Sequence, residues 1–122
     1  MARVLGVGGV FFKTDDRKKL AAWYEKWLSL PLSENFSGTF KPNMMPEPGF
    51  TVWGPFERST TYFDPSTKDF MINLVVDDLD GALGQVKEGG ATIVGEIEEY
   101  DYGRFGWFID PEENKIELWE PR

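Results

Sequence analysis

The sequence contains no histidine and no cysteine among its 122 residues. Without cysteine, the chain can form no disulfide, no thiolate nucleophile and no cysteine metal site. Without histidine, it lacks the commonest general base and the commonest neutral metal ligand. A serine triad that uses histidine and an iron site of two histidines and one carboxylate are therefore excluded. Oxygen ligands alone would have to hold any metal.

Basic residues are scarce relative to acidic ones, and long apolar runs are absent. The chain has 13 Lys and Arg against 21 Asp and Glu, so its net charge is -8 at pH 7. Such a chain repels phosphate backbones and anionic lipid heads, and we expect no nucleic-acid partner. No segment approaches the roughly 18 apolar residues of a membrane span. The N-terminal apolar run lacks the cleavage site of a signal peptide, which predicts a cytoplasmic protein.

What the chain does contain is a large apolar and aromatic fraction. Hydrophobic residues make up 41% of the sequence and aromatic residues 16%. This fraction is far above that of disordered chains. The length suits one domain with a single core, and the aromatic rings are numerous enough to line a pocket for a flat ligand as well.

A strand followed by a helix is predicted near the N-terminus. Residues 4–13 form an apolar run rich in strand-forming residues, and residues 15–28 have a helical period. The apolar stripe of that helix consists of Leu20, Trp23, Tyr24, Trp27 and Leu28. Either Thr14 or Asp15 is a suitable N-cap. We interpret the three aromatic residues of the stripe as core rather than as a binding site.

The same arrangement recurs in the second half. Residues 70–76 predict a strand and residues 77–88 a helix that stops at Gly89 and Gly90. Three strand candidates follow each helix: 31–36, 37–42 and 49–56, then 91–98, 103–109 and 114–119. The sequence therefore predicts an internal duplication. We expect an α+β domain over residues 1–122 with two βαβββ modules, about 1–58 and 68–122.

Three sequence motifs occur in the order and spacing of a known superfamily. They are "TDDRKKLAAWYEKWLSLPL", "INLVVDDLDGALGQVKEGG" and "GRFGWFIDPEENKIELWEP". Over its whole length the chain resembles the vicinal oxygen chelate superfamily, which includes glyoxalases, bleomycin-resistance proteins and extradiol dioxygenases. The resemblance implies curved mixed sheets that surround a cleft, and modules that are usually paired in a homodimer.

The resemblance also implies a metal position, which this chain does not preserve. Matched motif to motif, the ligand positions of the superfamily fall on Gly9, Trp53, Met71 and Glu117. Only Glu117 has a metal-binding side chain, and one carboxylate cannot hold a divalent ion against water. We expect a member without metal or other cofactor, whose cleft takes an apolar or aromatic ligand.

Strand parity predicts which other side chains line the cleft. In addition to Trp53 and Met71, the candidate ligand-binding residues are Phe11, Asn73, Arg104 and Trp119. Arg104 belongs to this set only if its strand turns that side chain inward. The sequence does not decide whether Trp107 belongs to the core or to the cleft. The acidic run "GEIEEYDYGR" is either a solvated sheet edge or a site for a cationic ligand.

Glu117 is the candidate catalytic residue. In "IELWE" it shares a strand face with Trp119, while Ile116 and Leu118 share the other. A carboxylate there loses hydration, so it either acts as a general base or accepts hydrogen bonds from a ligand. Equally, Glu117 can be a structural residue paired with Arg104 or a backbone donor.

Three functions are compatible with these observations. The first is a small-molecule-binding protein that sequesters an aromatic or hydrophobic compound without metal. The second is a metal-independent lyase or isomerase in which Glu117 is the base and Arg104 or Asn73 steadies negative charge. The third is a protein-interaction module whose cleft is filled by its own aromatic rings. The fold alone does not decide among them.

Overall fold

The computed structural model describes all residues from 1 to 122. Its regular elements are helix α1 (Arg17–Leu28), strand β1 (Ile72–Val75), helix α2 (Leu79–Glu88) and strands β2 (Thr92–Tyr100), β3 (Gly103–Ile109) and β4 (Lys115–Pro121). A single 3-10 turn covers Pro42–Met44. Neither α-helix has the length and apolar character needed to cross a membrane.

Both helices start at an aspartate whose side chain accepts a hydrogen bond from the first turn. Asp16 caps α1 by accepting from the Lys19 amide, and Asp78 caps α2 by accepting from the Gly81 amide. The cap of α1 therefore lies one residue beyond the predicted Asp15. Such caps satisfy amide groups that the helix itself leaves without partners.

The four strands form one mixed sheet in the order β1-β4-β3-β2. Strand β1 runs parallel to β4, while β3 is antiparallel to both β4 and β2. All four strands coincide with strands predicted for the second half of the chain. The register shifts between Val94 and Glu98, where β2 bulges against β3.

The two helices cover one face of this sheet and enclose the core. The core cluster is Leu20, Tyr24, Leu79, Ala82, Val86, Phe108, Ile116 and Leu118. Gly106 permits close packing of α2, because a Cβ at this position would lie 2.8 Å from Leu83 Cδ1. The apolar stripes of both predicted helices therefore face the sheet, as their period indicated.

The strands predicted in the first half are not formed. Residues 4–13 and 49–56 contain no strand, and residues 31–42 contain only an isolated antiparallel bridge between Leu32 and Gly38. A strand needs a hydrogen-bonded neighbour, and none of these segments pairs with the free edges of β1 or β2. One α+β sheet layer is thus observed, and the duplication into two modules stays a prediction.

Candidate functional site

The face of the sheet opposite the helices carries the candidate site. We call it the open face because neither helix covers it. Side chains alternate along each strand, so the residues that do not face the helices share this surface. Its members include Asn73, Phe105, Trp107, Lys115, Glu117 and Trp119. Glu117 lies at its centre, with Asn73 opposite on β1 and Trp107 opposite on β3.

Glu117 accepts hydrogen bonds from three side chains. Asn73 Nδ2 donates to Oε1 at 2.7 Å, and Trp107 Nε1 donates to Oε2 at 2.8 Å. The hydroxyl of Tyr62 also donates to Oε2. Only 8% of Glu117 is exposed, and three donors offset much of the cost of burying a carboxylate.

Tyr62 and Lys115 cover one side of the carboxylate. Lys115 Nζ donates to the Tyr62 carbonyl oxygen at 2.6 Å. Burial, followed by the hydrogen bond to Glu117, raises the pKa of the Tyr62 hydroxyl above its usual range. Burial also lowers the pKa of Lys115, against the opposing charge of Glu117 and other nearby acids. The Tyr62 hydroxyl is therefore held as a donor at neutral pH.

Aromatic rings form the rest of the open face. Trp119 and Phe105 lie parallel with ring centroids 5.9 Å apart, and Phe50 meets Trp119 edge-on at 4.9 Å. The Tyr62 ring stands perpendicular to Trp107 at 6.2 Å. Flat rings beside one hydrogen-bonded carboxylate can stack on an aromatic ligand and orient a polar group that it carries.

Arg104 lies on the helix-covered side of the sheet. Its guanidinium donates to both carboxylate oxygens of Asp80 in α2, at 2.9 and 3.3 Å, and lies 3.9 Å from Glu120. The structure therefore places it away from Glu117, because residues 104 and 117 occupy opposite faces. The alternative in which Glu117 pairs with Arg104 is wrong in this structure.

The structure does not bring the predicted first-half residues to the open face. Phe11 and Trp53 belong to no strand, and their exposed fractions are 95% and 80%. Met71 directly precedes β1 and is half-buried. Asn73, Glu117 and Trp119 share the open face, as strand parity indicated, while their roles in binding or catalysis stay predictions.

The residues present do not fit the metal site of the superfamily. Gly9 and Trp53 offer no metal-binding side chain, and both oxygens of Glu117 already accept hydrogen bonds from neutral donors. No three acidic side chains converge anywhere in the structure to form a metal-binding group. A divalent ion would have to displace these donors and take its other ligands from water.

Three important residues of the open face were missed or left open by the sequence analysis. Trp107 lies on this face with 5% exposure, which resolves its orientation. Lys115 shares the face because it stands two positions before Glu117, and strand parity is the signal that would have found it. Tyr62 comes from a segment without helix or strand, so no periodic pattern marks it.

Comparison with protein families gives a match over most of the chain. The family model described as "Glyoxalase-like domain" matches residues 9–119. The chain belongs to this family. The predicted resemblance to the vicinal oxygen chelate superfamily is thereby confirmed. No match is found among curated protein sequences.

Solved structures share the fold of this glyoxalase-like domain. A glyoxylase/bleomycin resistance protein/dioxygenase domain from a Frankia species is 15% identical, with 98% of this chain and 100% of that chain covered and a TM-score of 0.59. The antibiotic-binding protein TnmS3 from a Streptomyces species is 20% identical, with 89% of each chain covered and a TM-score of 0.53.

Another match is local. A member of the glyoxalase/bleomycin resistance protein/dioxygenase superfamily from Sphaerobacter thermophilus is 34% identical over 40% of each chain, with a TM-score of 0.37. The chain thus covers less than half the length of that relative, and 43% of an S. aureus protein.

Proposed function

We propose that this glyoxalase-like domain binds a small aromatic or hydrophobic compound on the open face of its sheet, without a metal ion. The observation that carries the proposal is the buried Glu117 carboxylate, held by three side-chain donors beside the buried rings of Trp107 and Trp119 and the more exposed rings of Tyr62 and Phe50. The fold is shared with an antibiotic-binding protein, and this supports sequestration of such a compound.

The polar and apolar parts of the open face have different roles in this proposal. Phe105 is half-buried and lies parallel to the buried Trp119, so a ligand ring would stack on this pair from the Phe105 side or by displacing the exposed Phe50. A carboxylate has about four lone-pair positions, and the three donors leave room for one more hydrogen bond. A ligand hydroxyl or N–H group would fill that position. Met71, Phe11, Trp53 and Arg104 stay predicted ligand residues.

Binding of a neutral aromatic probe tests the proposal. We expect 2-naphthalenemethanol to bind in equilibrium dialysis, and Trp119→Ala to weaken its binding by about 1 to 3 kcal/mol through lost stacking and area burial. Trp27→Ala is the matched control, because this tryptophan lies on α1 beside Lys26 and Gly89. Equal losses in both variants, or no binding to the wild type, would argue for the interaction-module alternative.

A second candidate function is a metal-independent lyase or isomerase in which Glu117 is the general base. Its support is the position of this carboxylate on the same face as the rings, with Asn73 beside it. The three donors stabilise the ionised form, however, and so make Glu117 a weaker base. Proton abstraction would have to use the one lone-pair position that the three donors leave free.

Isotope exchange distinguishes the two candidates. A base would exchange the proton next to a ligand carbonyl for deuterium, and Glu117→Gln would slow this exchange by roughly 100- to 10,000-fold. A binding protein would show no exchange. Glu117→Gln should then change binding of 2-naphthalenemethanol only modestly, and it should cost about 1 to 3 kcal/mol of stability because its NH2 group must face at least one of the three donors.

The cytoplasmic location remains part of the proposal rather than a finding. Fractionation of cells that express the natural gene would test it, and recovery of the protein outside the cytoplasm would contradict it.

A further inference from the structure

Lys115 is a buried amine that has no acidic partner. Its exposed fraction is 7%, and it begins β4 on the open face, two residues before Glu117. The ion pairs of the structure all involve arginines, namely Arg58, Arg104 and Arg122. Lysine is rarely buried unless it is paired, so this position requires an explanation.

The partners of Lys115 satisfy its ammonium group incompletely. An ammonium has three donors, and Nζ donates only to the Tyr62 carbonyl oxygen, at 2.6 Å. Otherwise it faces rings: the centroids of Tyr62 and Trp107 lie 5.3 and 5.8 Å away. Lys68 makes a useful contrast, because its Nζ donates to two oxygens, Asn114 Oδ1 at 2.7 Å and Glu112 O at 3.2 Å.

Burial without a paired carboxylate favours the neutral amine. Desolvation lowers the pKa of Lys115, although the charges of Glu117, Asp64 and Glu98 oppose this effect. A neutral amine is the nucleophilic form of lysine, and a hydrophobic pocket is a common means of producing it. The rings beside Nζ form such a pocket.

We propose that Lys115 is a covalent binding site for an aromatic aldehyde, which its amine captures as an imine. This inference rests on the proposed function, since the open face must first bind the aromatic ring. It also narrows the ligand class from any aromatic compound to one that carries a carbonyl group.

The chemistry balances without another reactant. The ammonium first loses a proton to solvent water, and the lone pair on Nζ then forms a bond to the aldehyde carbon. The carbonyl oxygen takes up a proton to give a carbinolamine. Loss of one water from this carbinolamine forms the C=N bond. Exclusion of bulk water by Trp107 and the bound aromatic ring disfavours the reverse hydrolysis.

The ligand has a route to the amine beside Tyr62. This residue lies in the stretch between Met44 and Ile72, which has no helix or strand, and 39% of it is exposed. A ligand ring that replaces the Tyr62 ring over Trp107 would also release the Tyr62 hydroxyl from Glu117, while the backbone pairing of the strands is unaffected. The Tyr62 carbonyl, which holds Nζ, would move with this segment.

Reductive trapping tests the proposal. The full chain is incubated near pH 7 with 2-naphthaldehyde and sodium cyanoborohydride, which delivers hydride to the imine carbon and leaves a stable secondary amine. Intact mass and peptide mapping then give the number and position of adducts. We expect about one adduct per chain, on Lys115, at concentrations where Lys68 is unmodified.

Two variants show whether the adduct requires the amine of Lys115 rather than only a positive charge at this position. Lys115→Arg retains a cation that can donate to the Tyr62 carbonyl but cannot form the imine, so the adduct should be lost. Lys68→Arg should leave the adduct unchanged. Circular dichroism verifies that each variant is folded. A wild-type reaction without cyanoborohydride should give no stable adduct.

The outcomes distinguish this inference from the proposed function. If 2-naphthalenemethanol binds but the aldehyde modifies Lys115 no more than other lysines, the capture is wrong and the binding function stands. If neither probe engages the open face, both are wrong. If Lys115→Arg keeps the adduct, another amine reacts and the assignment to Lys115 is overturned.

Discussion

The two halves of the chain differ sharply in how many of their residues are buried. Of the 17 buried residues, only Leu20, Ala21 and Tyr24 precede residue 71. The second half contains the whole sheet and most of the core. The first half contributes one helix, which packs on that core, and leaves side chains such as Leu5 and Trp53 largely exposed.

The difference does not follow from composition, because both halves are rich in apolar and aromatic residues. It follows from which segments find a hydrogen-bonded partner strand. In the second half, β4 lies between β1 and β3 and satisfies both of its edges. Apart from the Leu32–Gly38 bridge, the first-half segments predicted as strands pair with no neighbouring strand, so most of their residues are exposed. Exposed apolar segments of this extent commonly mark an interaction surface.

The largest effect we expect is dimerisation that covers the first half. We propose that the chain forms a homodimer in which a second copy covers these apolar segments, with a mass in light scattering twice that of the 14.0 kDa chain. Hydrogen exchange should then show protection in residues 4–13 and 49–56 that falls on dilution. A monomeric mass at high micromolar concentration, with fast exchange in both segments, would contradict the dimer.

Leu118→Ala should cause the next largest effect. Leu118 is fully buried in the core cluster beneath both helices, and such truncations cost about 2 to 5 kcal/mol. Leu5→Ala is the control, because 85% of this side chain is exposed, and it should change stability by less than about 0.5 kcal/mol in the monomer. Urea unfolding measures both; comparable losses would mean that the first half is packed as tightly as the second.

The fold was predictable from sequence where local periodicity and tertiary pairing agree. Both helices and all four observed strands lie where their periods placed them. The prediction of strands in the first half was wrong, because a run of apolar, strand-forming residues shows that a segment suits a sheet, not that it has a partner strand. In the site, parity placed Asn73, Glu117 and Trp119 correctly on one face. Tyr62 could not be found, because only tertiary contacts bring residue 62 to residue 117.

A smaller effect is expected at the contact between the halves. Tyr24 of α1 donates to Asp110 Oδ2 at 2.8 Å, so Tyr24→Phe should cost about 1 kcal/mol at neutral pH. Burial and the Asp110 charge raise the pKa of Tyr24. Above about pH 10 the unfolded tyrosine ionises while the folded one stays protonated. The folded state then binds more protons, and stability falls as pH rises.

Urea unfolding from pH 8 to 11 provides the measurement. The wild type should lose stability above pH 10, and Tyr24→Phe should lose less over the same interval. Tyr62→Phe is a useful second variant, since the pKa of Tyr62 is raised as well. The pKa of Lys115 is lowered in the folded state, so between its folded and unfolded pKa values the unfolded state binds more protons. In that interval Lys115 makes stability rise with pH, which opposes the effect of the tyrosines. Identical slopes in the wild type and Tyr24→Phe would contradict this account.

The smallest effect is expected for Arg104→Ala, and it tests the division between the two faces of the sheet. The Arg104 guanidinium binds Asp80 on the helix side, where 66% of the Asp80 side chain is exposed. Salt screens such pairs, so the variant should lose little stability, and less still in 1 M salt. Binding of 2-naphthalenemethanol should not change, because Glu117 and the stacked rings lie on the opposite face.

Asn73→Ala is the matched comparison. It removes a donor to Glu117 from the open face itself and should alter binding. If Arg104→Ala weakened binding as much as Asn73→Ala, the ligand role predicted for Arg104 from the sequence would be supported and the open-face site would have to be redrawn.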